Sequence, residues 1–248
     1  KLNQLLAEAK FDAWVEALCE PHYAQGKGRP SVPPGVYFRM LLVGYFEGIG
    51  SQRGIAWRCS DSLSLREFLG IPVDEDSPDH SSLSYIRNRL PLDVHQQVFV
   101  KVLAVAQEKK LLKGKTVAVD STTLEANAAM KSIVRKDTGE DWTAYVVRLM
   151  RVAGVVGADE TPSKEEVIRF DRKRKDKTTS NEDWKSESDP EAKIARMKDG
   201  TTHLAYKAEN VVDVDTDLIL AAEVYRADQG DTDTMMDSVM QAQTHLNE

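Results

Sequence analysis

Thr116-Val117-Ala118-Val119-Asp120-Ser121-Thr122-Thr123 is the stretch on which the fold turns. A short run of strand-forming residues meets one acidic side chain at its far end. β-Branched residues favour an extended chain. The lack of clean apolar–polar alternation over 116–121 predicts a strand buried on both faces. A rigid strand can hold a carboxylate where a divalent cation bridges it to a phosphate, with Ser121 and Thr122 orienting it or holding a water. The competing reading is a strand-terminal Asp that caps the next turn. A second run of this kind, Leu218-Ile219-Leu220-Ala221-Ala222-Glu223-Val224-Tyr225, is followed by Asp228 and Asp231.

Upstream of Gly114 the texture is helical. Leu2, Leu5, Leu6, Ala9, Ala13 and Leu18 fall at helical spacing, which predicts one amphipathic helix over 2–20, ended by Pro21. Gly26-Lys27-Gly28-Arg29-Pro30 reads as a loop. Pro33-Pro34 suits the first turn of a helix that runs to the Gly48–Gly50 break. Short helices follow near 51–58 and 61–69, then a helix capped by Ser81 or Ser82 and one over 93–110. Residues 1–110 therefore read as an all-α domain.

Downstream, 111–248 mixes strand and helix. Residues 126–198 are polar, rich in Lys and Glu and weakly periodic. They read as an insertion with one helix at 140–152 and a basic run, Arg172-Lys173-Arg174-Lys175. Two antiparallel strands, 201–213 and 217–226, lead to a final helix over 232–247 that is expected to bury Met236, Val239, Met240 and Leu246.

Composition bounds the partners. The chain has 248 residues, 41% hydrophobic and 29% charged, and no apolar run approaches a membrane span. Lys1 to Glu20 has no signal-peptide core, and a first residue other than Met implies that the true start is missing. Cys19 and Cys59 lack metal-site or disulfide spacing, so a reducing cytoplasm is expected. The net charge of −7 argues against a nucleic-acid partner, but it is unevenly placed. Residues 1–110 balance at 13 basic and 13 acidic side chains, whereas 199–248 hold 2 basic and 11 acidic.

Other candidates carry two readings each. Asp228 and Asp231 could complete a metal site facing Asp120, or Asp231 could serve the N-terminus of the last helix. Ser82, Tyr85, Arg87, Asn88 and Arg89 could meet phosphates and base edges, or form a solvated helix face. Arg172, Lys173, Arg174 and Lys175 could track a phosphate backbone, or be a soluble loop. The five histidines pair with no Ser or Cys nucleophile, and no glycine-rich phosphate loop is present.

Val117-Ala118-Val119-Asp120-Ser121-Thr122-Thr123-Leu124-Glu125-Ala126-Asn127-Ala128 resembles the first-aspartate motif of bacterial insertion-sequence DDE transposases of the IS4/IS5 and IS1182 type. Ser188-Asp189-Pro190-Glu191-Ala192-Lys193 and Leu204-Ala205-Tyr206-Lys207-Ala208-Glu209-Asn210 are similar to the segment leading into that family's next strands. Ala227-Asp228-Gln229-Gly230-Asp231-Thr232 sits where the family carries Asn-x-x-Asp-Ser, which places its second acid at Asp231. Tyr37-Phe38-Arg39-Met40-Leu41 and Asp79-His80-Ser81-Ser82-Leu83 are similar to its helical N-terminal domain.

The resemblance implies a mixed fold: an all-α DNA-binding domain at 1–110, then an incomplete RNase H-like α/β catalytic core at 111–248. It implies Asp120 and Asp231 as catalytic acids on adjacent central strands, with Asp228 near the metal. Mg²⁺ or Mn²⁺ would be the cofactor. Double-stranded DNA, both transposon ends and target, would be the partner of a homo-oligomer, with no membrane. The family's third acid is a Glu on a helix well beyond the second Asp. This chain stops at Glu248, 17 residues past Asp231, and the expectation is a fragment cut before that acid. The implied activity is DNA strand cleavage and strand transfer. The alternatives are a catalytically inactive DNA-binding remnant that occupies transposon ends, or a nuclease on the same fold that cuts without joining.

Overall fold

A computed structural model describes residues 1–24, 31–175, 177, 179–197 and 200–247; the loop expected at 26–30 lies outside them. The described chain divides into two compact units, Lys1–Leu111 and Leu112–Asn247.

The first unit holds helices α1 (Leu2–Glu8), α2 (Phe11–Cys19), α3 (Pro34–Glu47), α4 (Gln52–Asp61), α5 (Leu63–Leu69), α6 (His80–Arg89) and α7 (Leu92–Glu108). The single helix expected over 2–20 is two helices, because Lys10 adopts a left-handed φ of 50° between them. On one continuous helix Leu6 and Phe11 would point about 140° apart. The break turns both into one core, with Val15, Tyr37, Met40, Ile55, Leu83, Ile86 and Val94. Pro34 opens α3 as expected, and Gly48, at φ 65°, closes it in the left-handed conformation that glycine takes most easily. α6 is capped by Asp79 rather than by Ser81 or Ser82, since Ser82 N–H donates to Asp79 Oδ1 at 2.9 Å.

Arg39 is the polar centre of this unit. Its guanidinium grips Asp12 through two bonds of 2.7 Å and donates to Asn3 Oδ1 and the Phe68 carbonyl. Its 6% exposure makes that set of partners necessary, because a buried charge left unpaired is costly. The bonds join α2, α3, α5 and the side chain of α1 residue Asn3.

The second unit contains β1 (Val117–Glu125), β2 (Ile133–Arg135), α8 (Trp142–Val152), α9 (Lys164–Lys173), β3 (Trp184–Ser186), β4 (Lys193–Arg196), β5 (Thr202–Asp213), β6 (Leu218–Arg226) and α10 (Asp231–Asn247). β5 is the central strand. β1 pairs antiparallel along one edge of it, and β6 and β4 pair end to end along the other. β2 and β3 form a separate two-stranded ladder.

Two expectations about this unit are corrected. β1 is a strand, but it is not buried on both faces: none of its positions is buried. It lies at the sheet edge, paired only with β5 among the described residues, and strands lose both faces to the interior only where layers cover both. α10 does not bury Met236 and Met240, which are 61% and 58% exposed. Its packed face is Thr234, Ser238, Ala242 and His245, because the sheet surface beneath it is itself polar.

The described residues of 126–198 also hold more regular structure than their composition suggested. Ser163 and Glu166 form a capping box that starts α9. Ile133, Trp184, Ala192 and Ala126 make a small core with Leu204, against which Tyr206 packs. In β6, Leu220 is an extra residue between the pairs Val211↔Ala221 and Val212↔Ile219. This bulge coincides with a carbonyl that accepts from His245 Nδ1 at 2.9 Å, tying the end of α10 to the sheet.

Candidate functional site

Side chains on a strand alternate between faces, and directly opposed residues share one. The pairs Ser121↔Glu209 and Asp120↔Asn210 therefore project to opposite sides of the sheet. The side bearing Lys207 and Glu209 is the one covered by α10.

That covered side is a closed polar network. Glu209, 1% exposed, accepts from Ser238 Oγ at 2.6 Å and from Thr234 Oγ1 at 2.8 Å. Tyr225 donates in turn to Ser238 at 2.9 Å. Lys207 Nζ lies 3.4 Å from Glu209 Oε2 and donates to Thr234 Oγ1 and the Gly230 carbonyl. Burial alone would raise the Glu209 carboxyl, but the bonds from Ser238, Thr234 and Lys207 outweigh it and hold the group below its ordinary range.

Asp231 belongs to the edge of this network. It is the first residue of α10, not a strand residue, and its carboxylate accepts from Ser121 Oγ at 2.8 Å and from Lys207 Nζ at 3.3 Å. Asp233 accepts from Gly230 N–H in the same turn. A carboxylate in the first turn is favoured by the helix dipole and open N–H groups. Asp228 sits elsewhere again, held by Arg226 through bonds of 2.7 and 3.0 Å.

Asp120 is on the other side, exposed, in the middle of β1. Its face carries Ala118, Thr122 and Leu124 of β1, Ala208, Asn210 and Val212 of β5, and Ala222 and Val224 of β6. The core around Trp184 and Tyr206 covers one end of this face, and Tyr206 donates to Asp189 there at 2.6 Å. Around Asp120 itself the floor is made of small, exposed or half-buried side chains.

Asp120 thus projects from the side of the sheet opposite Ser121, the residue to which Asp231 is bonded, while Asp228 is held by Arg226. Among the described residues, no three His, Cys, Asp or Glu side chains gather as a metal-binding group. The expected three-aspartate set does not fit one cation. The oxygen-bearing neighbours of Asp120 on its face are Thr122 and Asn210, a neutral donor set of the kind a hard divalent ion that keeps several waters accepts beside one carboxylate.

The sequence-predicted DNA contacts separate in the same way. In the first unit Tyr85 is 71% exposed, and Arg87 and Asn88 are exposed beside it. Ser82 is half-buried, its backbone spent on the Asp79 cap. Arg89 is partly committed, stacked 4.7 Å over Tyr23 and bonded to Ser31. In the second unit Arg174 folds inward, bonded to Asp171 at 2.8 Å and lying over Tyr145. Arg172, Lys173 and Lys175 stay exposed, and Arg172 and Lys173 line a shallow groove along α9 with Glu165, Ile168 and Arg169.

Lys207, Glu209 and Asn210 were not singled out as site residues from sequence. The signal for Glu209 was legible: a charged residue on a long alternating strand, at an inward position, implies a buried partner.

Comparison with known proteins bears on the first unit. Residues 1–89 match a family model described as Transposase domain (DUF772), which supports a transposase family and a transposase-related function for this chain. No curated protein and no solved structure matches it. Among the described residues no helix is long and apolar enough to cross a membrane.

Proposed function

We propose that the chain is part of a DDE-type insertion-sequence transposase that cleaves and joins DNA strands with Mg²⁺ or Mn²⁺. Asp120 carries this reading. It is an exposed carboxylate in mid-strand on an open sheet face, in a chain whose first 89 residues match a transposase domain. An RNase H-like core for 111–248 is part of the proposal, and the antiparallel β1, β5 and β6 backed by α10 are what support it.

Asp120 would hold the cation, with β1 fixed by its full-length ladder to β5. A cation there supplies Lewis acidity that activates water or a DNA 3′-hydroxyl and neutralises charge on the leaving oxygen. The open floor of small residues admits a phosphodiester to Asp120. Ser121, bonded to Asp231, locks the strand to the start of α10, so Asp231 acts by position. Tyr85, Arg87 and Asn88, with Arg172, Lys173 and Lys175 as a second patch, would contact double-stranded DNA for a homo-oligomer assembled on transposon ends.

The test uses the full-length protein and duplexes bearing the ends of its own element. Asp120→Ala should abolish Mg²⁺-dependent cleavage and leave gel-shift affinity unchanged. Cleavage by this variant at the wild-type rate would overturn the reading. Tight binding without cleavage by the wild type would favour the inactive remnant, and cleavage without joining would favour a nuclease.

A further inference from the structure

We infer that Asn210 is a second oxygen donor toward the cation that Asp120 holds, an inference that rests on the reading of Asp120 given above. The two residues are directly opposed in the β1–β5 ladder. Backbone bonds at its ends run from Val214 N to the Thr116 carbonyl and from Ala126 N to the Leu204 carbonyl. Hydrogen-bonded and non-bonded pairs alternate along an antiparallel ladder, so Asp120 and Asn210 form a hydrogen-bonded pair with Cα atoms about 5.5 Å apart. Their side chains share the open face at a separation that one small ion with its waters spans.

The sequence context makes this asparagine unusual. Asn is disfavoured in strands, and β5 is the central strand of the sheet. On its own face it is flanked by Ala208 and Val212 and opposed on its other side by Ala222. None of these offers a side-chain hydrogen bond, and the Asn210 carboxamide has no protein partner among the described residues. A residue that conflicts with local propensity and gains nothing from its neighbours points to a role outside the fold. The chemistry agrees. A neutral carboxamide adds an oxygen ligand without the negative charge that would repel an incoming phosphodiester.

The experiment is Mn²⁺ titration of the full chain, followed by the free-ion electron paramagnetic resonance signal, with cleavage against Mg²⁺ concentration in parallel. The difference between wild type and Asp120→Ala defines the site. Asn210→Ala should weaken that component on the order of tenfold and shift the Mg²⁺ midpoint by a similar factor, the scale for losing a group beside a metal. Asn210→Asp should tighten Mn²⁺ binding in the absence of DNA. Val212→Ala, a neighbouring change on the same face, should leave the ion affinity as in wild type. If Asp120→Ala loses the component while Asn210→Ala and Asn210→Asp bind as wild type, the role of Asn210 is refuted and that of Asp120 stands. If Asp120→Ala itself binds Mn²⁺ as wild type, the reading of Asp120 fails and this inference with it.

Discussion

The two faces of the β1–β5–β6 sheet solve opposite problems with alternate residues of the same strands. Beneath α10, Lys207, Glu209, Tyr225, Thr234 and Ser238 are polar and enclosed, and each is answered by another. On the far side Ala118, Ala222 and Val224 are apolar and exposed, Ala208 is half-buried, and among the polar side chains there Asp120 and Asn210 have no such answering group. Polar groups that satisfy one another hold a fold together. Polar groups left open on a rigid floor are available to a ligand.

The largest expected effect tests the open face. Asp120→Ala should reduce single-turnover cleavage on the order of 10³-fold or more, the scale for removing a group that acts on the transition state. It should leave the melting temperature nearly unchanged, because exposed substitutions stay within about 0.5 kcal/mol. A cleavage loss matched by an equal loss of folded protein would place Asp120 in the scaffold instead.

The next effect tests the covered face, and it should appear in stability. Removing one member of a buried ion pair leaves the other charge unanswered, so Glu209→Ala or Lys207→Ala should each cost about 3–5 kcal/mol by urea denaturation. The double change Lys207→Met with Glu209→Leu should cost less than the two single losses added together, since it strands no charge. Simple additivity would show that the two side chains act independently and that the network is not a unit.

Acid should loosen the same face. The Glu209 carboxyl is held below its unfolded value, so its contribution is complete above the ordinary carboxylate range and is lost as pH falls through the lowered folded value. The urea midpoint should drop more steeply on acidification in wild type than in Glu209→Gln. Parallel curves would remove Glu209 from the acid response.

How much of this was legible follows from which signals are local. The strands 201–213 and 217–226, the helix after Pro33-Pro34 and the change of texture at Gly114 all rest on propensity and punctuation within short windows, and each has its counterpart in the structure. The unbroken 2–20 helix and the buried methionines of α10 did not materialise, because both rested on periodicity without knowledge of the surface opposite. Lys10 bends the chain to merge two apolar stripes, and α10 turns its polar side inward to meet Lys207 and Glu209. The capping box at Ser163 and Glu166 was readable and overlooked within a polar segment. The arrangement around Asp120 was not readable at all, since facing depends on register and on the spatial neighbour of β1, which is β5.

The smallest expected effect decides most sharply between the faces. Asp231 has a 76% exposed side chain and meets Ser121 and Lys207 from the first turn of α10. Its replacement by Ala should cost no more than about 1 kcal/mol, the range for a first-turn carboxylate or an exposed ion pair. Cleavage should fall by about tenfold, the low end for losing a positioning partner, because no metal ligand is lost. Ser121→Ala should reproduce most of that decrease, and in the Asp231→Ala background it should add little, as expected when two residues share one interaction. A loss with Asp231→Ala as deep as that with Asp120→Ala, with the fold and DNA binding intact, would mean that both carboxylates act on one phosphate. Asp120 leaves the open face of the sheet and Asp231 starts the helix that covers the other face, so that outcome would require α10 to release its clamp on Lys207 and Glu209 when DNA binds. The same variants would then show it, since Lys207→Met with Glu209→Leu would alter cleavage as well as stability.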